Sequence, residues 1–550
     1  MTPSEKSVIQ MTLFLNASRK LSGVLRIRLP HAGIEPGQTL PPIHFTNGML
    51  LLVPYTLLVA AVAAQWNGVL SVAVADSVSY IRSGVSLISS GRYESAFGDT
   101  ELWFPPLYPA LIGLLDLIGA NPLTAGRVIS LLAALATLCV VAHMASRLTD
   151  RATALWAGVV LVCCPVYQQA AAAALSEATA TMFMVTGTYL WISRTERSSL
   201  WRTAAIGLAA AASYLTRPEA ILVAALWASY DIAVRTSRSR LHALVLIAAF
   251  VIPSTPYVLW LSKSIGQPAI SGKGDVNLAA GRAQYYQVPR ERIDSETLEM
   301  EFARPEMSAS SEARRYTTNL AQLARSIALN IDTRVTSTIL LLPLVVGLGV
   351  SIRRLQIRAI FGLVAPLAVV PVIAWYAPGE RYLHMTMPTL AVFTGIGIVS
   401  LVRLAASTPP LAARIAAVFV LAFCFAVVLE RGTRSPRWSL SEETRTSLLK
   451  EAGERLHLSR PCRVFEAGAT IGYYAGCRRG RLTSDDLAVL KRYADATTHA
   501  GEATFIAVDN EHADTYHESV AALLEKDSAP LTSVLGITDA RGQVVIYKLD

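Results

Sequence analysis

Long apolar runs separated by short polar connections dominate most of the chain. They fall at 48–70, 127–146, 152–170, 178–193, 203–216, 219–234, 241–261, 334–352, 359–376, 382–402 and 411–430. Runs this long and this poor in charge predict membrane-spanning helices rather than the core helices of a soluble protein. Several are shorter than the ~20 residues that a perpendicular span needs, so about 11 to 13 spans are expected. From about residue 431 the pattern changes to polar sequence with strand-like alternation at 463–465, 504–508 and 544–548 and helical patterns between. The expected architecture is mainly α: a polytopic helical bundle over 48–430, a short segment at 1–47, and a small α/β domain at 431–550.

The basic residues orient the bundle, because Lys and Arg collect in cytoplasmic connections. Arg147 with Arg151, Arg194 with Arg197 and Arg202, Arg235 with Arg238 and Arg240, Arg353 with Arg354 and Arg358, and Arg403 with Arg414 occupy every second connection. With the basic segment 1–47 also inside, the C-terminal domain is expected outside the cytoplasm. The opposite connections are the loops 71–126 and 263–333 and three short turns, Ser176-Glu177, Thr216-Arg217-Pro218-Glu219 and Pro378-Gly379-Glu380-Arg381-Tyr382. A working site at the outer face, near the membrane plane, follows from their convergence. The apolar stretch 110–119 would break the alternation if it crossed the membrane, so a helix lying along the interface is expected there.

Composition agrees with a membrane protein: 53% of residues are hydrophobic and only 16% charged, against ~25% in ordinary globular chains. The net charge of +9 lies mostly in membrane-flanking loops, which removes the case for a nucleic-acid partner. Six cysteines form no disulfide framework; Cys139, Cys163, Cys164 and Cys424 lie in apolar runs, while Cys462 and Cys477 fall in polar sequence where an outer compartment would allow a bridge. Zinc-type Cys/His spacing is absent, as are phosphate-cradling glycine loops and serine-hydrolase motifs. No cleavable signal peptide is expected in 1–47.

Asp76 directly follows the first span, where a partly desolvated carboxylate with a raised pKa suits general-base work on an alcohol. An interfacial helix cap is the plainer alternative. Glu177 sits at an outer helix end, and Glu101 with Asp99 lies in Gly98-Asp99-Thr100-Glu101-Leu102-Trp103-Phe104-Pro105-Pro106-Leu107-Tyr108-Pro109. Arg217 and Arg381 are outward exceptions to the positive-inside pattern. Their planar guanidiniums suit phosphate, with salt bridges to Glu219 and Glu380 as the alternative. Arg127 is a weaker third candidate. A divalent cation on Asp76, Glu177 or Glu101 is compatible with these residues, although no ligand spacing requires one.

Taken in order, Asp76 with Tyr80, Phe104-Pro105-Pro106-Leu107-Tyr108-Pro109, Leu175-Ser176-Glu177, Leu215-Thr216-Arg217-Pro218-Glu219 and Gly379-Glu380-Arg381-Tyr382-Leu383 resemble the C-type glycosyltransferase superfamily, GT-C. The likeness is nearest to bacterial relatives of protein O-mannosyltransferases and the lipid A aminoarabinose transferase, over about 48–430. It implies an inner-membrane enzyme that moves a sugar from a polyprenyl-phosphate carrier to a lipid, glycan or protein acceptor on the outer face. Inversion at the anomeric carbon is implied by the same likeness. Asp76 would activate the acceptor, Arg217, Arg381 and Arg127 would meet the carrier phosphate, and Tyr80, Tyr108 and Tyr382 would line the substrate site. Family members often carry His or Lys before the Pro-Pro pair, where this chain has Phe104.

Segment 263–333 is too long for an idle connection, and its basic residues with Tyr285-Tyr286 are expected to form a lid over the carrier headgroup. Two other readings stay open: a transporter or flippase for a lipid-linked or anionic solute, and an O-antigen ligase or polymerase. A transporter should show ionisable or helix-breaking residues at mid-span. Charges here gather at helix ends on one side, which favours an interfacial enzyme.

Overall fold

The computed structural model describes residues 52–66, 75–195, 197–234, 236–286, 291–293, 300–302, 308–331, 341–376, 379–406, 440–457, 461–466, 470–481, 492, 494–496, 502–509, 532–539 and 542–549. The expected segment 1–47 and span 411–430 lie outside them. The chain begins with α1 (Val53–Trp66), α2 (Ala75–Ser90), α3 (Leu107–Leu117) and α4 (Pro122–Leu148). There follow α5 (Arg151–Val162), α6 (Pro165–Ala172), α7 (Glu177–Ile192), α8 (Leu200–Tyr214), α9 (Ala220–Ala233) and α10 (Ser237–Ile265).

Start signals in the sequence explain several boundaries. Asn121 accepts a bond from Thr124 N and precedes Pro122 at the head of α4; Asp150 does the same for Thr153 N at the head of α5. α10 ends where Gly266 takes φ 79°, a conformation that suits glycine. Among the described residues four helices are long and apolar enough to span a membrane: 122–148, 237–265, 357–375 and 387–404. The run 152–170 was expected as one span. It is instead two helices bent by 72°, because Pro165 lacks the amide that would continue α5. That pair would make a fifth crossing if it acts as one span. At 11 residues α3 reaches only ~16 Å, too little to cross, which agrees with the interfacial helix expected there.

The loop 71–126 contains a helix, α2, that the pattern of runs does not announce. α2 packs on α3 through glycines: a side chain on Gly84 would collide with the Pro109 carbonyl, and one on Gly113 with the Gly84 carbonyl. Close backbone approach through small residues is the usual membrane solution when apolar burial gives helices little reason to associate.

The described parts of segment 263–333 are folded. After α10 come α11 (Gly274–Tyr286), the antiparallel pair β1 (Glu291–Ile293) and β2 (Met300–Phe302), and α12 (Ala309–Ile331). The bundle continues with α13 (Leu341–Arg354), α14 (Ile357–Val364), a 3-10 turn at Ala365–Ala368 and α15 (Val369–Trp375). A second 3-10 turn, Glu380–Met385, precedes α16 (Met387–Ala406), so the run expected from 382 enters its helix only at Met387.

The connections expected at opposite faces separate into two groups. From one set, Arg403 pairs with Asp150, while Arg194 binds Asp231 at 2.6 Å and Arg358 donates to the Arg194 carbonyl. From the other set, Asp76, Glu177, Arg217 and Arg381 converge.

The C-terminal region holds α17 (Leu440–Leu456), β3 (Cys462–Glu466), α18 (Thr470–Ala475), β4 (Arg478–Arg481), β5 (Ala503–Asp509), β6 (Thr532–Asp539) and β7 (Gly542–Leu549). Its sheet has the order β4-β3-β5-β7-β6, parallel across β4, β3 and β5 and antiparallel beyond. All three runs read as strand-like are strands; β4 and β6 were not anticipated. Val464, Phe505, Val544 and Ile546 form a core with Leu448 and Ala452 of α17. Cys462 and Cys477 are disulfide-bonded across a separation of 15 residues, a loop whose closure is worth ~3 kcal/mol in the chain-entropy account. This sheet meets the loop that follows α2: Arg479 lies 4.6 Å from the Phe97 ring, and its amide bonds the Ala96 carbonyl.

The α2–α3 contact is directly testable. Gly84→Val overpacks it and should destabilise the protein by at least ~1–3 kcal/mol, read as a lower thermal midpoint in detergent. An unchanged midpoint would mean that the two backbones do not touch.

Candidate active site

Four separate stretches of chain build the site. Asp76 lies in the first turn of α2, where the helix dipole favours a carboxylate. Glu177 opens α7, Arg217 sits in the turn between α8 and α9, and Arg381 belongs to the 3-10 turn before α16. Arg381 binds Asp76 and lies 3.9 Å from Glu177 Oε1. Arg217 donates to Glu177 Oε1 at 2.8 Å and to Glu219 Oε1 at 3.0 Å. The Tyr382 ring lies 5.2 Å from the Arg217 guanidinium and 5.3 Å from that of Arg381.

Beside this chain of charges is a cavity of 670 Å³, whose walls include Tyr80, Phe104, Arg217, Glu219, Lys273 and Tyr382. Asp76, Glu177 and Arg381 are not part of its wall; Glu177 meets it through Arg217, and Arg381, which holds Asp76, through the Tyr382 ring. Lys273 is one of the basic residues of 263–333 that sequence reading named together for the lid without singling any out. Its Nζ stands 3.7 Å from the centre of the Phe104 ring, the position where a cation was missed in the Phe-Pro-Pro motif. The signal lay in Ser271-Gly272-Lys273-Gly274: a side chain on Gly272 would collide with the Leu102 carbonyl, so only glycine lets this segment close on the first loop.

The remaining expected residues divide. Tyr80 lines the cavity and bonds Ser176 Oγ at 2.8 Å. Tyr108 is fully buried and donates to the Gly126 carbonyl at 2.9 Å, behind Tyr80 rather than in the cavity wall. Glu101 accepts from the amides of Trp103 at 2.8 Å and Phe104 at 3.3 Å and from Ser83, so it shapes the aromatic loop. Asp99 acts electrostatically on Arg478 of the C-terminal sheet, not on Asp76. Arg127 faces Tyr474 and Tyr473 of α18, away from the cluster. Among the described residues no three His, Cys, Asp or Glu side chains are placed to hold a metal, so no step is derived through one.

The expectation of a raised Asp76 pKa is reversed. Burial alone pushes its carboxyl up, but Arg381, Lys273 and Arg217 together outweigh that and hold it well below the usual carboxylate range. Glu101, lacking such an ion pair, is raised by burial. Burial lowers the Lys273 ammonium, partly offset by Asp76. His384, unanticipated, donates from Nδ1 to the Arg381 carbonyl at 2.8 Å and is 1% exposed. Its pKa is lowered to about 4, chiefly by burial and then by Arg217.

Comparison with known proteins follows this geometry. Residues 104–260 match the family model described as dolichyl-phosphate-mannose-protein mannosyltransferase. The segment includes Glu177 and Arg217 and stops short of Lys273 and Arg381. The structure is similar to that of ArnT from Cupriavidus metallidurans, solved bound to undecaprenyl phosphate: TM-score 0.56, 12% identity, 91% of this chain and 97% of that one covered. It is also similar to the Archaeoglobus fulgidus oligosaccharyltransferase solved with zinc and sulfate: TM-score 0.53, 10% identity, 84% of this chain and 68% of that one. No curated protein sequence matches significantly. The resemblance to GT-C read from the sequence is borne out, and the chain has the GT-C fold.

His384 gives the site a pH signature. Its folded pKa lies below the unfolded ~6.5, so the native state binds fewer protons and stability rises with pH between about 4 and 6.5. Lowering the pH from 7 to 4 should cost on the order of 3 kcal/mol through this group. His384→Gln should flatten that part of the thermal-midpoint profile, and an unaltered slope would remove His384 as its source.

Proposed function

We propose that this GT-C superfamily member transfers a sugar from a polyprenyl-phosphate carrier to an acceptor at the outer face of the membrane. The observation that carries this reading is the cavity's charge pattern. Arg217 and Arg381 are both engaged by carboxylates, whereas Lys273 reaches the cavity with no carboxylate within salt-bridge distance among the described residues. An ammonium stacked on an aromatic ring beside two guanidiniums suits the phosphate of a lipid carrier. Similarity to a fold solved with undecaprenyl phosphate supports the same donor.

In this reading Lys273 meets the donor phosphate, and Arg381 turns from Asp76 toward it as the anomeric carbon–oxygen bond breaks. Asp76, released from its strongest partner, accepts the proton of the acceptor hydroxyl while that oxygen forms the new bond to carbon. The products are the glycosylated acceptor and the polyprenyl phosphate. Attack by the acceptor oxygen from the face opposite the leaving phosphate, with Asp76 taking its proton, gives inversion. Glu177 keeps Arg217 and Arg381 in register, and Tyr80 and Tyr382 border the sugar. Stabilisation of the departing phosphate is the larger contribution, as is usual where preorganised charges meet developing charge. The segment carrying Lys273 acts as the lid, and the C-terminal sheet, docked on the first outer loop, lies on the acceptor's side.

The decisive comparison is transfer from a panel of labelled polyprenyl-phosphate sugars by wild type and Asp76→Asn in membranes at matched protein levels. The variant keeps the size of the side chain and loses the base, and transfer should fall ~100-fold, or ~2.7 kcal/mol of transition-state stabilisation. Undiminished transfer would take the base away from Asp76 and leave Glu177 as the candidate.

A further inference from the structure

α15 ends at Trp375, ahead in the chain of the 3-10 turn Glu380–Met385 that carries Arg381. The last carbonyls of any helix lack partners within it, so something must satisfy them or the end frays. Here the partners come from α12. Arg315, fully buried, donates from Nη2 to the Trp375 carbonyl at 2.8 Å and from Nη1 to the Tyr376 carbonyl at 3.1 Å. Asn319, one turn further along the same face, donates to the Ala374 carbonyl at 2.9 Å. A guanidinium at this end also complements the helix dipole.

Arg315 is itself held. Its Nε and Nη2 donate to Glu312 Oε2 at 3.0 and 2.8 Å, and the other oxygen of Glu312 receives Arg282 Nε at 2.6 Å. Arg282 lies on α11, the helix that begins one residue after Lys273. The carboxylate of Glu312 thus joins two arms of the cavity, one carrying Lys273 and the other leading through α15 to Arg381.

We propose that Arg282, Glu312 and Arg315 form a clasp that positions Arg381 and ties its placement to that of Lys273. The inference rests on the donor-phosphate reading for its consequence in binding, while the clasp is a statement about the protein alone. None of the three touches the cavity's reacting region; they are positioning residues that act through the α15 terminus. A bound phosphate that draws Lys273 inward pulls on α11, and the clasp passes that displacement to the turn at 379–385 as Arg381 changes partner.

Two conservative variants of the full-length protein test this. Arg315→Lys keeps the charge but cannot fork across two carbonyls and a carboxylate, and Glu312→Gln keeps the shape but loses the ionic hold on both arginines. Each is checked for folding by its thermal midpoint. Amide hydrogen exchange over 379–386 should speed up at least ~10-fold in both variants, with exchange in α4 unchanged. Unchanged exchange at 379–386 overturns the clasp. Affinity for undecaprenyl phosphate supplies the second readout. Arg315→Lys should weaken it at least ~5-fold, and should weaken it no further in an Arg381→Ala background; full additivity of the two losses overturns the positioning role. If wild type binds no undecaprenyl phosphate, the donor reading falls, and the exchange measurement alone decides the clasp.

Discussion

The cavity end of this bundle depends on a row of alternating charges, Asp76, Arg381, Glu177, Arg217 and Glu219, in which Glu177 and Arg217 are buried and the others partly exposed. Burying Glu177 or Arg217 without its partner would cost several kcal/mol, so the two persist as a pair. The members of the row come from α2, the 3-10 turn before α16, the head of α7 and the α8–α9 turn. Close packing has to bring each within ion-pair distance of its partners. Glycine-mediated contact between α2 and α3 fixes the Asp76 arm, and the α12 side chains on the α15 terminus fix the Arg381 arm. Helices that look independent in the sequence are therefore committed to one arrangement by a polar constraint at their ends.

A second group of charges shows the same economy. Arg194 and Asp231 are both almost fully buried and paired at 2.6 Å, with Arg358 lying 4.7 Å from the Trp191 ring. The row that includes Arg217 differs in that Arg217 and Glu219 line a cavity of 670 Å³, which gives space for a ligand against its charges.

Most of what was legible in the sequence was legible because the membrane enforces it. Alternation of arginine-rich connections with acidic and aromatic ones put Asp76, Glu177, Arg217 and Arg381 in one expected group, and these four do converge. The brevity of α3 was likewise implied by topology. What escaped was positional detail within loops. Lys273 is one of several basic residues in a mixed-charge segment, and only the glycines around it mark a close approach. Arg315 reads as a surface residue of an amphipathic helix, because the carbonyls it satisfies lie 60 and 61 residues away. Tyr108 and Arg127 went the other way. They carry the right chemistry, but the fold turns one into the core and the other toward the C-terminal sheet. The raised pKa expected for Asp76 considered burial without its partner, and the partner's charge reverses the sign.

In the proposed transfer, that reversal bears on how a carboxylate so firmly ionised would serve as a base. While Arg381 holds it, Asp76 is a poor proton acceptor. A glycosyl phosphodiester carries one negative charge, and the monoester released carries up to two near neutral pH, since its second pKa is ~6. As the carbon–oxygen bond breaks, one negative charge accumulates on the phosphate. Proton transfer to Asp76 removes one from the carboxylate at the same time. The total charge facing Arg381, Arg217 and Lys273 stays constant through the step, and only its location moves. An arginine placed between the two sites follows that movement with little net electrostatic cost, and each increment of charge it gives to the phosphate raises the proton affinity of the carboxylate it leaves. In the proposed transfer, the pairing that suppresses Asp76 in the resting site is thus the device that would link activation of the acceptor to departure of the carrier phosphate.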